Sequence, residues 1–256
     1  MRFETAPGHQ AQVDWAYIGA DEEGKLYAFV LVLSFSRLLY LEFTRSMDLP
    51  TLITCHQRAF SFLGGVPSTL LYHNTAQVKR PQGGLHPLFA DFSAHYGFAV
   101  RTHRPYRPRT KGKVERRVDC LKDNFLRGRS FAGLQDLSQQ GRLWLEQANR
   151  RVHATTGERP LDLLPREGLS PLSEIPPYLL CLRHSRRADA EGFVHLASVR
   201  YSVPPQYVGQ PVVVVQQEQR VQVKLGDLVL AEHPRGAPGA SVATAEHVTA
   251  LWQQTL

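Results

Sequence analysis

Apolar residues in the first half of this chain alternate between strand-like and helix-like spacing. Residues 10–19 and the runs over 25–36 and 38–45 are rich in Val, Leu, Phe and Tyr, and the turn Asp21-Glu22-Glu23-Gly24 separates the first from the second. They predict three consecutive antiparallel strands. The longest run, Leu26–Phe35, reads as a fully buried central strand. It is too short for a membrane-spanning helix, which needs about 20 apolar residues. Asp48 as N-cap, Pro50 just inside and Gly64-Gly65 at the end bracket a helix over Leu49–Leu63. A strand over 68–73 parallel to the first, a helix near Leu88–Tyr96 ended by Gly97, and a fifth short strand over Phe98–Thr102 follow. Three antiparallel strands and then two that alternate with helices is an α/β plan.

Pro105 and Pro108 keep the next segment from being helical throughout. A helix is predicted from near Thr110 to about Leu126, with Val114, Val118, Leu121 and Phe125 as its buried stripe and Glu115 beside it. Another covers Leu134–His153. After Arg159 the prolines Pro160, Pro165, Pro171, Pro176 and Pro177 crowd a stretch with little periodicity, which reads as a linker. Short strands over Val212–Gln216, Arg220–Lys224 and Leu228–His233 predict a small all-β barrel or sandwich. The residues after Arg235 read as loosely held. The expected organisation is a core over 5–130, a helical and proline-rich connection over 131–179, a β module over 180–235 and a tail over 236–256.

Charge sharpens this picture. The 256 residues carry a net charge of +7, and the segment Arg101–Arg129 alone holds eleven bases against three acids, a net of +8. The basicity is therefore focused, and it points to a polyanionic partner. Cys55, Cys120 and Cys181 are far apart with no paired spacing, so they are expected to be buried or idle thiols of a reducing compartment, neither disulfides nor zinc ligands. No signal peptide opens the chain.

Within this plan Asp14 sits on the first strand, His73 ends the parallel strand, and Glu115 rides a late helix. Carboxylates converging from distant points of a chain are what a phosphoryl-transfer site with two hard cations requires. The residues that carry the chemistry also carry a resemblance. Pro7-Gly8-His9-Gln10-Ala11-Gln12-Val13-Asp14-Trp15, Leu71-Tyr72-His73-Asn74, His95-Tyr96-Gly97-Phe98 and Arg104-Pro105-Tyr106-Arg107-Pro108-Arg109-Thr110-Lys111-Gly112-Lys113-Val114-Glu115 resemble the integrase core of IstA-type insertion-sequence transposases. These belong to the wider retroviral-integrase-like DDE group. Val199-Arg200-Tyr201-Ser202-Val203-Pro204-Pro205 resembles that family's C-terminal small β-barrel. The stretch ending in Glu115 is the most specific part.

The resemblance implies an RNase H-like five-stranded mixed sheet with flanking helices, followed by the small barrel. It implies a catalytic triad of Asp, Asp and Glu, carried here by Asp14, His73 and Glu115, with spacings of 59 and 42 residues. The metal ligands would be Asp14 and Glu115, holding Mg²⁺ or Mn²⁺ in a two-metal site left incomplete by His73. Imidazole supplies one neutral nitrogen where a carboxylate would supply charge and a bridge. Asn74 is no simple replacement, because the next residue along a strand faces the other way. The implied activity is end cleavage and strand transfer of insertion-sequence DNA into target DNA, impaired at the middle position. The alternative is a catalytically inactive DNA-binding or assembly protein derived from a transposase, and a third reading is an RNase H-like nuclease.

Further expectations follow. Arg104, Arg107, Arg109, Lys111, Lys113, Arg116 and Arg117 are expected to contact DNA phosphates. Trp15 is expected to pack, Tyr106 to stack or pack, and His86, His95 and His103 to be structural or exposed. Lys79-Arg80-Pro81-Gln82-Gly83-Gly84 reads as a mobile loop beside the site and within reach of DNA. The resemblance implies a homo-multimer bridging two DNA ends, an IstB-type ATPase helper, and a place in the bacterial cytoplasm at the nucleoid, with no membrane. The family's N-terminal DNA-binding helices have no counterpart in this sequence, so it is expected to be a fragment or a truncated reading frame.

Overall fold

A computed structural model describes residues 5–72, 77–80, 82–102, 114–178, 182–196, 198–217, 219–237 and 239–255; of residues 114–117, 183, 254 and 255 it describes the backbone alone. The chain forms two compact units, Met1–Tyr178 and Leu179–Leu256.

The first unit is built on a five-stranded mixed sheet. Its elements are β1 (Gln10–Asp21), β2 (Gly24–Leu33), β3 (Leu39–Thr44), α1 (Leu49–Leu63), β4 (Gly65–Val66), β5 (Thr69–Tyr72), α2 (Pro87–Tyr96) and β6 (Ala99–Thr102). The sheet order is β3-β2-β1-β5-β6. The first three strands pair antiparallel, and β5 and β6 run parallel to β1. The apolar run of β2 is buried from Leu26 onwards except at Tyr27, as expected for a central strand covered on both faces. Asp48 caps α1 by accepting from Thr51 N at 2.9 Å, and Gly64 ends it at φ 71°. The face of α1 that meets the sheet is Leu52, Ile53, Cys55, His56, Ala59, Phe60 and Leu63.

The opposite face of the sheet is covered by α3 (Val114–Leu121) and α4 (Leu134–Arg150). The helix predicted to run to Leu126 changes character at Leu121, where Lys122–Leu126 form a π-helical turn. Val118, Leu121 and Phe125 of the predicted stripe are buried, Phe125 stacking on Phe43. In α4, a Cβ on Gly141 would lie 2.5 Å from the Phe43 ring, so glycine sets how closely helix and strand approach. Near the end of α4 the buried Asn149 accepts from Leu39 N at 2.9 Å and donates to Leu39 O at 2.8 Å. One side chain thereby satisfies the backbone of an edge strand.

The proline-rich stretch read as a linker is packed into the chain's first unit instead. It contains α5 (Pro160–Leu163), a 3₁₀ turn over Leu164–Glu167 and β7 (Ser170–Pro171), which pairs with β4. The buried Glu167 carboxylate accepts from Gly8 N at 2.6 Å and from Ser36 N at 2.8 Å. Tyr178 donates its hydroxyl to Asp91 at 2.8 Å and sets its ring edge-on to Phe92 and His95. Single side chains with distant partners hold this stretch, so it shows no periodicity.

The second unit comprises β8 (Leu182–Arg187), β9 (Phe193–Leu196), β10 (Val199–Ser202), β11 (Pro211–Gln216), β12 (Arg220–Leu225), β13 (Leu228–Pro234), β14 (Ser241–Val242) and α6 (Ala245–Thr255). The expected all-β module consists of two sheets, β13-β12-β11-β8 and β14-β10-β9, around a shared core that includes Val194, Tyr201, Val214, Val221 and Val223. Residues 236–256, expected to be loosely held, contribute β14 and α6. The buried Ser202 explains the difference: its Oγ lies 2.9 Å from His247 Nδ1 and accepts from Thr244 N at 3.0 Å, which fixes the start of α6.

Candidate functional site

Asp14 lies in the interior of β1, directly opposite Val30 of β2. Alternate residues of a strand share a face, so Asp14 shares the face of Ala16, which belongs with Val30, Val118 and Leu121 to one core cluster. Asp14 thus sits on the side of the sheet that α3 covers. It is half-buried, and its Oδ1 accepts from Trp15 N at 2.9 Å. The last parallel pair between β1 and β5 is Val13 with Tyr72. These two residues directly precede Asp14 and His73 in sequence.

Glu115 is in the first turn of α3, which packs against β1 and β2. It stands one turn before the buried Val118. Arg116 and Arg117 belong to the same helix. His73, Arg104, Arg107, Arg109, Lys111 and Lys113 lie outside the described residues, as do Asn74, His103 and Tyr106. Asp14 therefore lies on the sheet face that α3, the helix bearing Glu115, covers. Among the described residues, no group of three or more His, Cys, Asp or Glu side chains is placed to hold a metal ion.

The other face of the sheet supports this edge. Trp15 packs edge-on against Phe29 with ring centroids 5.4 Å apart, and its Nε1 has no hydrogen-bond partner among the described residues. Tyr72, the last described residue of β5, places its hydroxyl 2.8 Å from His56 Nε2. His56 Nδ1 lies 2.7 Å from Leu52 O. A carbonyl can only accept, so Nδ1 carries the proton and Nε2 accepts from Tyr72. Phe29, Phe60, Phe89 and Phe92 surround the imidazole. Burial lowers its pKa to about 4 and raises that of the Tyr72 phenol well above its ordinary value. Sequence reasoning missed His56; the signal was a histidine on the apolar stripe of α1, three residues after Ile53 and four before Phe60.

His95 Nε2 lies 2.8 Å from Pro176 O, a structural role, and His86 is exposed. Cys55 is buried and Cys120 half-buried, both as free thiols, while Cys181 is outside the described residues. Burial raises the pKa of Cys55 far above that of an ordinary thiol. Among the described residues no helix is long and apolar enough to cross a membrane.

Comparison with known proteins adds to this geometry. The family model described as an integrase core domain matches residues 4–108, and the one described as the C-terminal domain of Mu transposase matches residues 172–245. The transposase for insertion sequence element IS21 from Pseudomonas aeruginosa is 31% identical over 269 residues, covering 99% of this chain and 68% of its own. A relative encoded by insertion sequence element IS5376 of Geobacillus stearothermophilus is 35% identical over 223 residues, covering 84% of this chain and 56% of its own. The chain thus spans between about half and two thirds of the length of these curated relatives. A chain of the simian T-cell lymphotropic virus intasome, solved by electron cryomicroscopy with a PP2A regulatory subunit, aligns with a TM-score of 0.52 at 18% identity, covering 91% of this chain and 78% of that one. At that identity the likeness speaks to fold.

Proposed function

The chain belongs to the family of IS21-type insertion-sequence transposases, and from that premise we propose that it is the core of a DNA transposase working by metal-dependent phosphoryl transfer, impaired at its second carboxylate position. One observation carries the reading. Asp14 follows the last β1–β5 pair and lies on the sheet face covered by α3, the helix that bears Glu115. His73 follows Tyr72, the partner of Val13 in that pair.

Two carboxylates offer hard oxygen donors suited to Mg²⁺ or Mn²⁺. Asp14 and Glu115 would hold the cation, which when bound supplies charge stabilisation to the attacking and leaving oxygens. The reaction is attack by a 3′-hydroxyl oxygen on a target phosphorus; the hydroxyl proton is lost, the old P–O3′ bond breaks, and the departing 3′-oxygen takes up a proton. His73 contributes at most one neutral nitrogen to this centre and removes one negative charge. Arg104, Arg107, Arg109, Lys111, Lys113, Arg116 and Arg117 bind DNA phosphates of the insertion-sequence ends and target. The protein acts as a homo-multimer with an IstB-type ATPase helper, in the bacterial cytoplasm at the nucleoid.

The test is reversal of strand transfer on a pre-branched DNA with Mg²⁺ and with Mn²⁺, comparing the unmodified chain with its His73→Asp variant. Activity in the variant well above that of the parent is the expected result. Equal activity in both would overturn the impairment. Asp14→Asn in the His73→Asp background abolishes the reaction if the site is correctly placed. The second reading, a DNA-binding or assembly protein without chemistry, is favoured by the same His73. It requires DNA binding that persists in EDTA and a His73→Asp variant that remains inactive.

A further inference from the structure

Between β5 and α2 the described residues 77–80 and 82–86 form a small hairpin pinned to the core. Val78 is fully buried. Its carbonyl accepts from His86 N at 2.8 Å, Lys79 bridges Leu85 in antiparallel fashion, Arg80 N donates to Gly84 O at 3.0 Å and Gly83 N donates to Arg80 O at 3.0 Å. Gly83 and Gly84 take φ of 93° and 79° with open space where a side chain would stand. Lys79 and Arg80 are exposed, and among the described residues neither has an ion-pair partner. Residues 77–86 contain these two bases and no acid.

Topology gives the hairpin its place. β5 and β6 are parallel neighbours joined through α2, so the connection from β5 to α2 lies at the carboxyl end of β5. Asp14 lies just past the β1–β5 ladder at that same end. Crevices at the carboxyl ends of parallel strands are where α/β sheets receive ligands. A buried anchor beneath two exposed cations, beside two glycines with open space at their Cβ positions, suits a linear polyanion passing over the end of the sheet.

We propose that the hairpin of residues 77–80 and 82–86 is a second DNA-backbone contact of this protein, in which Lys79 and Arg80 engage phosphates of duplex DNA at the end of the sheet where β5 stops and Asp14 lies, separate from the basic segment that follows β6. The proposal rests on the transposase reading only in taking DNA as the polyanion. Contacts of this kind hold the duplex in place without reading its sequence.

The experiment is equilibrium binding of the full chain to a random-sequence duplex by fluorescence anisotropy, across about 50 to 200 mM salt. Four proteins are compared: the parent, Lys79→Ala/Arg80→Ala, the charge-preserving swap Lys79→Arg/Arg80→Lys, and Lys111→Ala/Lys113→Ala. Loss of two phosphate contacts lowers the slope of log affinity against log salt by about 2 and weakens binding about tenfold in the double alanine variant. The swap retains parental affinity, and the melting temperature is the same in all four. Unchanged affinity and slope in the double alanine variant, with the Lys111/Lys113 variant weakened, would overturn the hairpin contact and leave the DNA reading standing. Loss of binding in the swap as well would show that shape matters instead of charge, and would also overturn it. A parent that binds no duplex at any salt would remove both readings.

Discussion

Tyr72 donates its hydroxyl to His56 Nε2 across 2.8 Å, and His56 in turn donates Nδ1–H to Leu52 O at 2.7 Å. This buried chain joins the end of β5, one residue before His73, to the interior of α1. Tyr72→Phe keeps the ring that meets Phe89 edge-on but leaves the imidazole acceptor without a donor. A buried polar atom so orphaned costs about 1 to 3 kcal/mol. Replacing both partners in His56→Phe/Tyr72→Phe removes the polar groups together. The double variant is therefore expected to lose less than the sum of the single losses. Urea unfolding followed by circular dichroism measures all four corners of the cycle; strict additivity would mean that the bond contributes nothing.

The same histidine makes stability fall as the pH is lowered. Its folded pKa is lowered by burial to about 4, below the ordinary 6.5. Above pH 6.5 both folded and unfolded imidazoles are neutral and the contribution is fully present. As the pH falls, the unfolded chain takes up a proton that the folded chain refuses, so stability drains away between 6.5 and about 4. The loss reaches about 2 kcal/mol by pH 5. Burial also lowers the pKa of His184 and His247, so the parent curve contains their contributions. The difference between the parent and His56→Phe isolates the buried imidazole: the variant is expected to show a shallower decline in urea midpoint from pH 7 to pH 5. Parallel curves would refute the assignment.

Local chemistry made much of the sheet legible. The β2 run has no polar position from Leu26 to Leu33, and Asp48, Pro50 and Gly64 punctuate α1 where the backbone turns. Asp14 was visible for another reason, since it stands in a stretch whose residue order carries a resemblance. What escaped were features set by partners remote in sequence. Gly8 and Glu167 are 159 residues apart, and Leu39 and Asn149 are 110 apart. Each is a single polar side chain meeting a backbone group, which leaves no periodic trace. The strand β14 is two residues long and pairs with β10 across about forty residues, and α6 starts on a side chain from β10. The hairpin after β5 reads as a loop because its glycines and exposed bases outnumber Val78, the one buried anchor among its described residues.

Glu167 allows a sharp test of how the connection is tied to the core. Its two carboxylate oxygens accept from Gly8 N and Ser36 N, so Glu167→Ala strands two buried donors and removes two charge-assisted bonds. The expected cost is about 3 kcal/mol or more. Glu167→Gln keeps one acceptor oxygen but turns an amide donor toward the second N–H, so it is expected to fall between parent and alanine variant. Gly8→Ala attacks the same contact from the other side. At φ 66° the added Cβ would sit 2.3 Å from Glu167 O, and no side chain can be accommodated there without moving one segment off the other. Because both substitutions break one contact, their effects in combination are expected to be well short of additive. Limited proteolysis supplies a second readout, with faster cleavage between Arg159 and Tyr178 in Glu167→Ala and in Gly8→Ala alike. If Gly8→Ala left both the unfolding midpoint and the cleavage pattern unchanged, the connection would not depend on this contact, and the strand that carries Asp14 would be held by its sheet neighbours alone.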